Sequence, residues 1–138
     1  MKQEDVDLLL KDLCGRLPYG VKVLYENKVF SVDYISAMYE EIKLDIPDNY
    51  SLDISEVKPY LLPLSSMTEE QKRELEDMGW SFDDSVINNI VEYLGKHRQF
   101  VTHFDCFALI DWLNAHHLDY RGLIDKGLAI DCTNLNIY

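Results

Sequence analysis

Positive charge is scarce in this sequence. Its 13 lysines and arginines face 25 acids, a net charge of −12 over 138 residues. The deficit is −5 over residues 1–60, −4 over 61–100 and −3 over 101–138, so it is a diffuse field and not an acidic tail. Such a field repels phosphates and speaks against direct binding of DNA or RNA. It suits a basic protein partner, including one whose ordinary ligand is nucleic acid. Solubility alone is the blander use of the same charge.

Cysteine is scarce as well. Cys14, Cys106 and Cys132 are odd in number, far apart and without a Cys-x-x-Cys pair. That argues against a disulfide framework or a zinc ribbon and for a reducing compartment. Neither Gly-x-Gly-x-x-Gly nor Gly-x-x-x-x-Gly-Lys-[Ser/Thr] occurs, so nucleotide-phosphate cradles have no support. No segment approaches the roughly 18 apolar residues of a membrane span. The opening "MKQEDVDLLLKDL" puts acids where a secretory signal carries positive charge. The expected location is the cytosol.

What is present is the material of a globular core: 47% hydrophobic residues against 28% charged ones. Residues 3–17 read as an amphipathic helix, with Val6, Leu9, Leu10, Leu13 and Leu17 on one face and Glu4, Asp5 and Asp7 in the first turn. The period then changes to two. Val21, Val23 and Tyr25 alternate, Glu26-Asn27 suits a tight hairpin turn, and Phe30, Val32 and Tyr34 resume on one face. Ile42, Leu44 and Ile46 form a third run, and Tyr50, Leu52 and Ile54 a fourth. "YLLPL" is a short fifth strand, which Pro59 and Pro63 would confine to an edge.

From Ser65 the pattern is helical. Thr68 with Gln71 forms a capping box, Glu69–Arg73 an i,i+4 pair, and Gly79 a stop. Ser81 or Asp83 caps a helix carrying Val86, Ile87, Ile90, Tyr93 and Leu94, ended by Gly95. A last helix over about 104–116 is apolar nearly all round and is expected to be the most buried element. The fold class is α+β: an N-terminal helix, a small curled antiparallel sheet or SH3-like barrel, then a helical part of about three helices. Residues 1–64 and 65–138 divide by period but read as one compact unit.

Two strings, "KPYLLPLSSMTEEQKRELE" and "DWLNAHHLDYRGLIDKGLAID", resemble a group of small proteins encoded widely in gut Bacteroidales genomes, their prophages and their phages. The resemblance covers about residues 54–138. It implies a bacterial cytoplasm and an accessory role in a mobile element. It carries no activity, so it assigns no catalytic residue.

Residues able to carry chemistry crowd into the tail. His116 and His117 stand beside Asp119, Tyr120 and Arg121 in a chain with 4 histidines. His103, Cys106, His116, His117 and Cys132 are permitted metal ligands. Consecutive helical residues point about 100° apart, so His116 and His117 rarely share an ion, and the bland reading has Cys106 in the core and His117 solvated. Cys106 with His103 at a helix start offers a Cys–His dyad for a small hydrolase. An apolar neighbourhood and the acidic field disfavour its thiolate. The carboxylates Asp105, Asp111, Asp119, Asp125 and Asp131 read as caps and solvated faces. No cofactor is called for.

The structural reading of the tail is a clasp: Asp119 caps a short helix from Tyr120 to Lys126, and Gly127 stops it. Arg121 would pair with Asp119, Asp125 or the last helix's acids. The functional reading is a protein-recognition patch of Trp80, Phe82, Trp112, Tyr120 and Arg121. The leading expectation is a non-catalytic, acidic protein-binding accessory, in sharper form a mimic of nucleic-acid charge. A Cys/His or metal-dependent enzyme is one alternative. An SH3-like nucleic-acid-binding module, limited to Lys22, Lys28, Lys43 and Lys58, is another. Nothing in the sequence sets the oligomeric state.

Overall fold

The computed structural model describes residues 1–47, 50–80 and 103–138, and only the backbone of residues 103–106. The expected helix over residues 83–94, its caps and Phe82 lie outside the described residues.

Helix α1 spans Gln3–Arg16, with Glu4 and Asp5 in its first turn. Strands β1 (Lys22–Tyr25) and β2 (Lys28–Ser36) form the expected hairpin. Its two turn residues both adopt left-handed φ, 46° at Glu26 and 63° at Asn27. That geometry matches the right-handed twist of the flanking strands. Strands β3 (Glu41–Leu44) and β4 (Leu52–Asp53) continue the antiparallel order. Asp53 and Glu56 then cap a single 3-10 turn, which replaces the end of the longer fourth strand expected from Tyr50 to Ile54.

Tyr34 corrects the expected register. The pairing shifts between Val32 and Tyr34, so Asp33 is an extra residue in β2. A bulge reverses which face each later side chain takes. Phe30, Val32 and Ile35 therefore pack on the core, and Tyr34 turns out to solvent.

Strand β5 (Lys58–Pro63) is the second correction. It is not an edge. It pairs antiparallel with β1, and parallel with both β6 (Leu118–Asp119) and β7 (Ile130–Asp131). The tail takes its bonds between the two prolines. Leu62 N–H donates to His117 C=O (2.8 Å) and Cys132 N–H donates to Leu61 C=O (3.0 Å). Neither proline is asked for the donor it lacks. The strand order is β4-β3-β2-β1-β5-β6 with β7 also on β5. β4 does not pair with β6, so the described sheet is curled and open, not a closed barrel.

Helix α2 (Glu69–Asp77) carries the expected capping box. Gln71 N–H donates to Thr68 Oγ1 (3.1 Å), and Thr68 N–H donates to Gln71 Oε1 (3.0 Å). Glu69 pairs with Lys72 (3.4 Å), whereas Arg73 reaches only the Glu69 carbonyl. Gly79, at φ 93°, stops the helix and Trp80 N–H returns to Leu75 C=O at 3.0 Å. Helix α3 spans His103–Ala115. It is not buried all round: Leu109 and Leu113 are enclosed, but Phe107 is 67% exposed.

Among the described residues the core falls into three clusters. One lies between α1 and β1–β4; a second joins α2, Trp80, α3 and Leu118; a third sets Leu61 against Leu123, Leu128 and Ala129. Strand β5 borders all three, so the chain on either side of residue 64 meets along it.

Candidate functional site

The tail folds back onto α1, and the residues that meet there are unusually polar for a core. Asp12 and Arg16 are fully buried and paired, Nε to Oδ2 at 2.7 Å. Four residues apart on one helix, acid before base, they are placed to meet. Arg16 Nη2 also donates to the Leu118 carbonyl (2.7 Å), tying α1 to β6. Arg121 closes the group from the tail, its Nε 3.5 Å from Asp12 Oδ1. Arg16 and Arg121 each lie 5.1 Å from the centre of the Tyr120 ring, and Tyr120 donates its hydroxyl to Asn114 Oδ1 (2.9 Å). Burial pushes the Asp12 carboxyl above its usual range, against the pull of Arg16 and Arg121.

The acid beside them has an equally internal task. Both oxygens of Asp119 accept backbone N–H groups, from Leu123 and Ile124, each at 2.9 Å. The expected helix from Tyr120 to Lys126 is a single turn instead. Gly122, at φ 75°, breaks the helical backbone before it starts, and Gly127, at φ 73°, stops it as expected. The cleft next to this turn, about 280 Å³, is lined by Pro63, Leu64, Asp119 and Tyr120, and its only buried acid is already spent.

The two histidines diverge. His116 stacks on Trp112 (4.2 Å between ring centres) and its Nδ1–H donates to the Trp112 carbonyl (2.8 Å). Its Nε2 faces Glu74 at 3.8 Å, and the same carboxylate accepts from Trp112 Nε1 at 3.0 Å, so the pair joins α3 to α2. His117, with φ 59°, leaves the helix in the opposite sense and stacks on Tyr138 at 3.4 Å and 7°. It is half-buried, not solvated. Burial first, then Arg16, His116 and Lys22, hold its pKa down at about 4.

Tyr138 completes the clasp. Lys22 N–H donates to its hydroxyl, which donates onward to the Tyr60 carbonyl, both at 2.9 Å. In the β1–β5 register Lys22 would oppose Tyr60. The hydroxyl therefore stands where a direct strand-to-strand bond would be. Burial raises its pKa to about 12.

The remaining expected site residues scatter. Trp80 and Tyr120 are 6% and 5% exposed and sit in the second core cluster. Trp112 and Arg121 are half-buried and engaged as described. The side chains of His103 and Cys106 lie outside the described residues. Cys132 is buried and Cys14 exposed, and burial raises both thiols. Among the described residues no three His, Cys, Asp or Glu side chains converge as a metal set. No helix of these residues is long and apolar enough to cross a membrane.

Sequence reasoning missed two things. Arg121 pairs with Asp12 on α1, 109 positions away, and not with Asp119, Asp125 or the last helix's acids. The i,i+4 acid–base pair at Asp12 and Arg16 was the available signal. The other omission is the outer face of β2–β3. The bulge aims Tyr34 outward beside Lys43, whose ammonium lies 6.0 Å from the ring centre. With Asp33, Tyr39 and Glu41 they line an open groove of about 390 Å³.

Comparison with protein-family models, with curated proteins and with solved structures returns no match.

Proposed function

We propose that this chain is a non-catalytic, acidic accessory protein that acts by binding another protein. Its setting would be a phage, prophage or other mobile element in a bacterial cytoplasm. The observation that carries the reading is where the reactive side chains went. The residues that looked like a centre are spent inside the fold: Arg121 on Asp12 of α1, Asp119 on its own turn, His116 between α3 and α2, and His117 on Tyr138, which ties β1 to β5. What remains for the surroundings is the charge of the chain as a whole, a net −12.

That charge selects a basic or nucleic-acid-binding protein as partner and disfavours nucleic acid itself. In its sharper form the reading has the acidic surface stand in for phosphates. The mobile-element setting rests on the resemblance over residues 54–138.

The test is capture on the immobilised chain from a Bacteroidales lysate treated with nuclease. Basic nucleic-acid-binding proteins should be retained at low salt, released at moderate salt and displaced by added duplex DNA. Retention of none of them defeats the protein-binding reading, and retention indifferent to DNA defeats the charge-mimic form.

A further inference from the structure

We infer that the outer face of β2–β3 is a docking groove for an arginine-bearing segment of a basic protein; this rests on the protein-binding reading and gives it a place. Tyr34 and Tyr39 are 53% and 70% exposed there, with Met38 beside them at 82%. Isolated exposed aromatics are ordinary, but several around one concavity mark a binding surface. The groove is built, not accidental. The Asp33 bulge sets the direction of Tyr34, and Ser36 Oγ accepts the Tyr39 N–H (3.3 Å), fixing the loop that carries Tyr39.

The chemistry of the lining selects the guest. Among the described residues, the carboxylates of Asp33 and Glu41 and the hydroxyl of Tyr39 bond to no protein group. One lysine faces these two acids, and its ammonium already rests over the Tyr34 ring. A guest guanidinium would lie on the more exposed Tyr39 ring and fork onto Asp33 or Glu41. A planar arginine fits that pairing better than a lysine, because it stacks and bonds at once. The lining offers side chains, the rings of Tyr34 and Tyr39 and the carboxylates of Asp33 and Glu41, so recognition runs through side chains. A second copy of the chain is a poor guest, since it brings another −12 to the surface.

The experiment uses the full chain and a fluorescein-labelled arginine–serine peptide, followed by anisotropy at low and physiological salt. A lysine–serine peptide of equal length is the comparison. The arginine peptide should bind, weaken with salt and exceed the lysine peptide several-fold. The double variant Tyr34→Ser/Tyr39→Ser should weaken binding about tenfold, the scale expected when an exposed cation–π interaction and the ring beside it are both removed. Asp33→Asn/Glu41→Gln should weaken it more than Glu70→Gln/Asp125→Asn, which removes the same charge elsewhere. Circular dichroism and Tm confirm that each variant is folded. Equal binding of the two peptides, undiminished binding by the tyrosine variant, or equal losses from the two charge variants would each overturn the proposal. If the tyrosine variant still captures basic proteins from lysate, the groove is wrong and the broader reading survives.

Discussion

Tyr120 and Tyr34 meet the same chemistry in opposite surroundings. Each ring has a cation over it: Arg16 and Arg121 at 5.1 Å for Tyr120, Lys43 at 6.0 Å for Tyr34. Tyr120 is 5% exposed and Tyr34 53%. Inside, Arg16 is fully desolvated and must be answered by Asp12 and by the Leu118 carbonyl, while Arg121 reaches Asp12 from the half-buried rim. Outside, the Tyr34 ring is exposed at an open groove, so the ring and its acids can exchange one cation for another. Burial, more than residue type, decides whether such a cluster fastens the fold or receives a guest.

The sharpest way to break the comparison is to remove a buried cation. Arg16→Met leaves Asp12 with Arg121 alone, at 3.5 Å. Breaking a buried pair by one partner costs about 3–5 kcal/mol, while replacing both with apolar groups is often near neutral. Urea unfolding should therefore show a large loss for Arg16→Met and a much smaller one for Asp12→Leu/Arg16→Met. If the double variant is as unstable as the single one, the pair's geometry matters for more than charge compensation.

Tyr138→Phe comes next. It keeps a ring to stack on His117 but strips the hydroxyl from between Lys22 N–H and Tyr60 C=O. Because the Lys22 N–H is exposed and the Tyr60 carbonyl only part-buried, water can answer them in part and the loss is about 0.5–1.5 kcal/mol. Faster amide exchange should be confined to β1 and β5. Unchanged exchange at Lys22 would mean that the strands close directly without the ring oxygen.

What the sequence made legible was local. Asn27, Thr68 with Gln71, Gly79 and Gly127 each act through neighbours a few residues away, and each behaves as its type demands. The same holds for the amphipathic α1, except that its supposedly polar side holds Asp12 and Arg16 in the core. What was not legible was partnership. Two-residue strands such as β6 and β7 carry no period of their own, and Leu118 meets Arg16 from 102 positions away. They are strands only because β5 is free to receive them, which is also why Pro59 and Pro63 misled. The bulge at Asp33 hid Tyr34, since an extra residue has no signature in an alternating run. The clasp was readable in outline because its turn chemistry is local, while the outer groove depends on a register that only the folded sheet sets.

Acid should loosen the inner cluster by a smaller step. The His117 pKa is held at about 4, below its ordinary 6.5, chiefly by burial. Below 6.5 the unfolded chain takes up the proton more readily than the folded one, so the His117 contribution fades as pH falls from 6.5 toward 4. Asp12, with its pKa raised, works in the opposite sense at lower pH, so total stability does not isolate the effect. The difference between the native chain and His117→Asn does; asparagine tolerates the left-handed backbone at φ 59°. The Tm gap between the two should narrow on going from about pH 7 to about pH 5. A constant gap would place the His117 ring in water and weaken the stack on Tyr138. The open side of the half-buried ring keeps the change modest.

The smallest stability effect belongs to the outer tyrosines, and its smallness is the point. Tyr34→Ser/Tyr39→Ser removes two exposed rings whose hydroxyls bond to nothing else among the described residues, and whose neighbouring cation, Lys43, stands at an open groove. Surface changes of this kind stay within about 0.5 kcal/mol. Tyr120→Phe, by contrast, orphans Asn114 Oδ1 in the interior, and such a loss runs to about 1–3 kcal/mol. Side-by-side thermal melts should leave the outer variant at the native Tm and lower the inner one. Were the outer variant to melt as early as Tyr120→Phe, the two tyrosine clusters would both be structural. With the fold held constant, any affinity that the outer variant loses must come from the rings themselves.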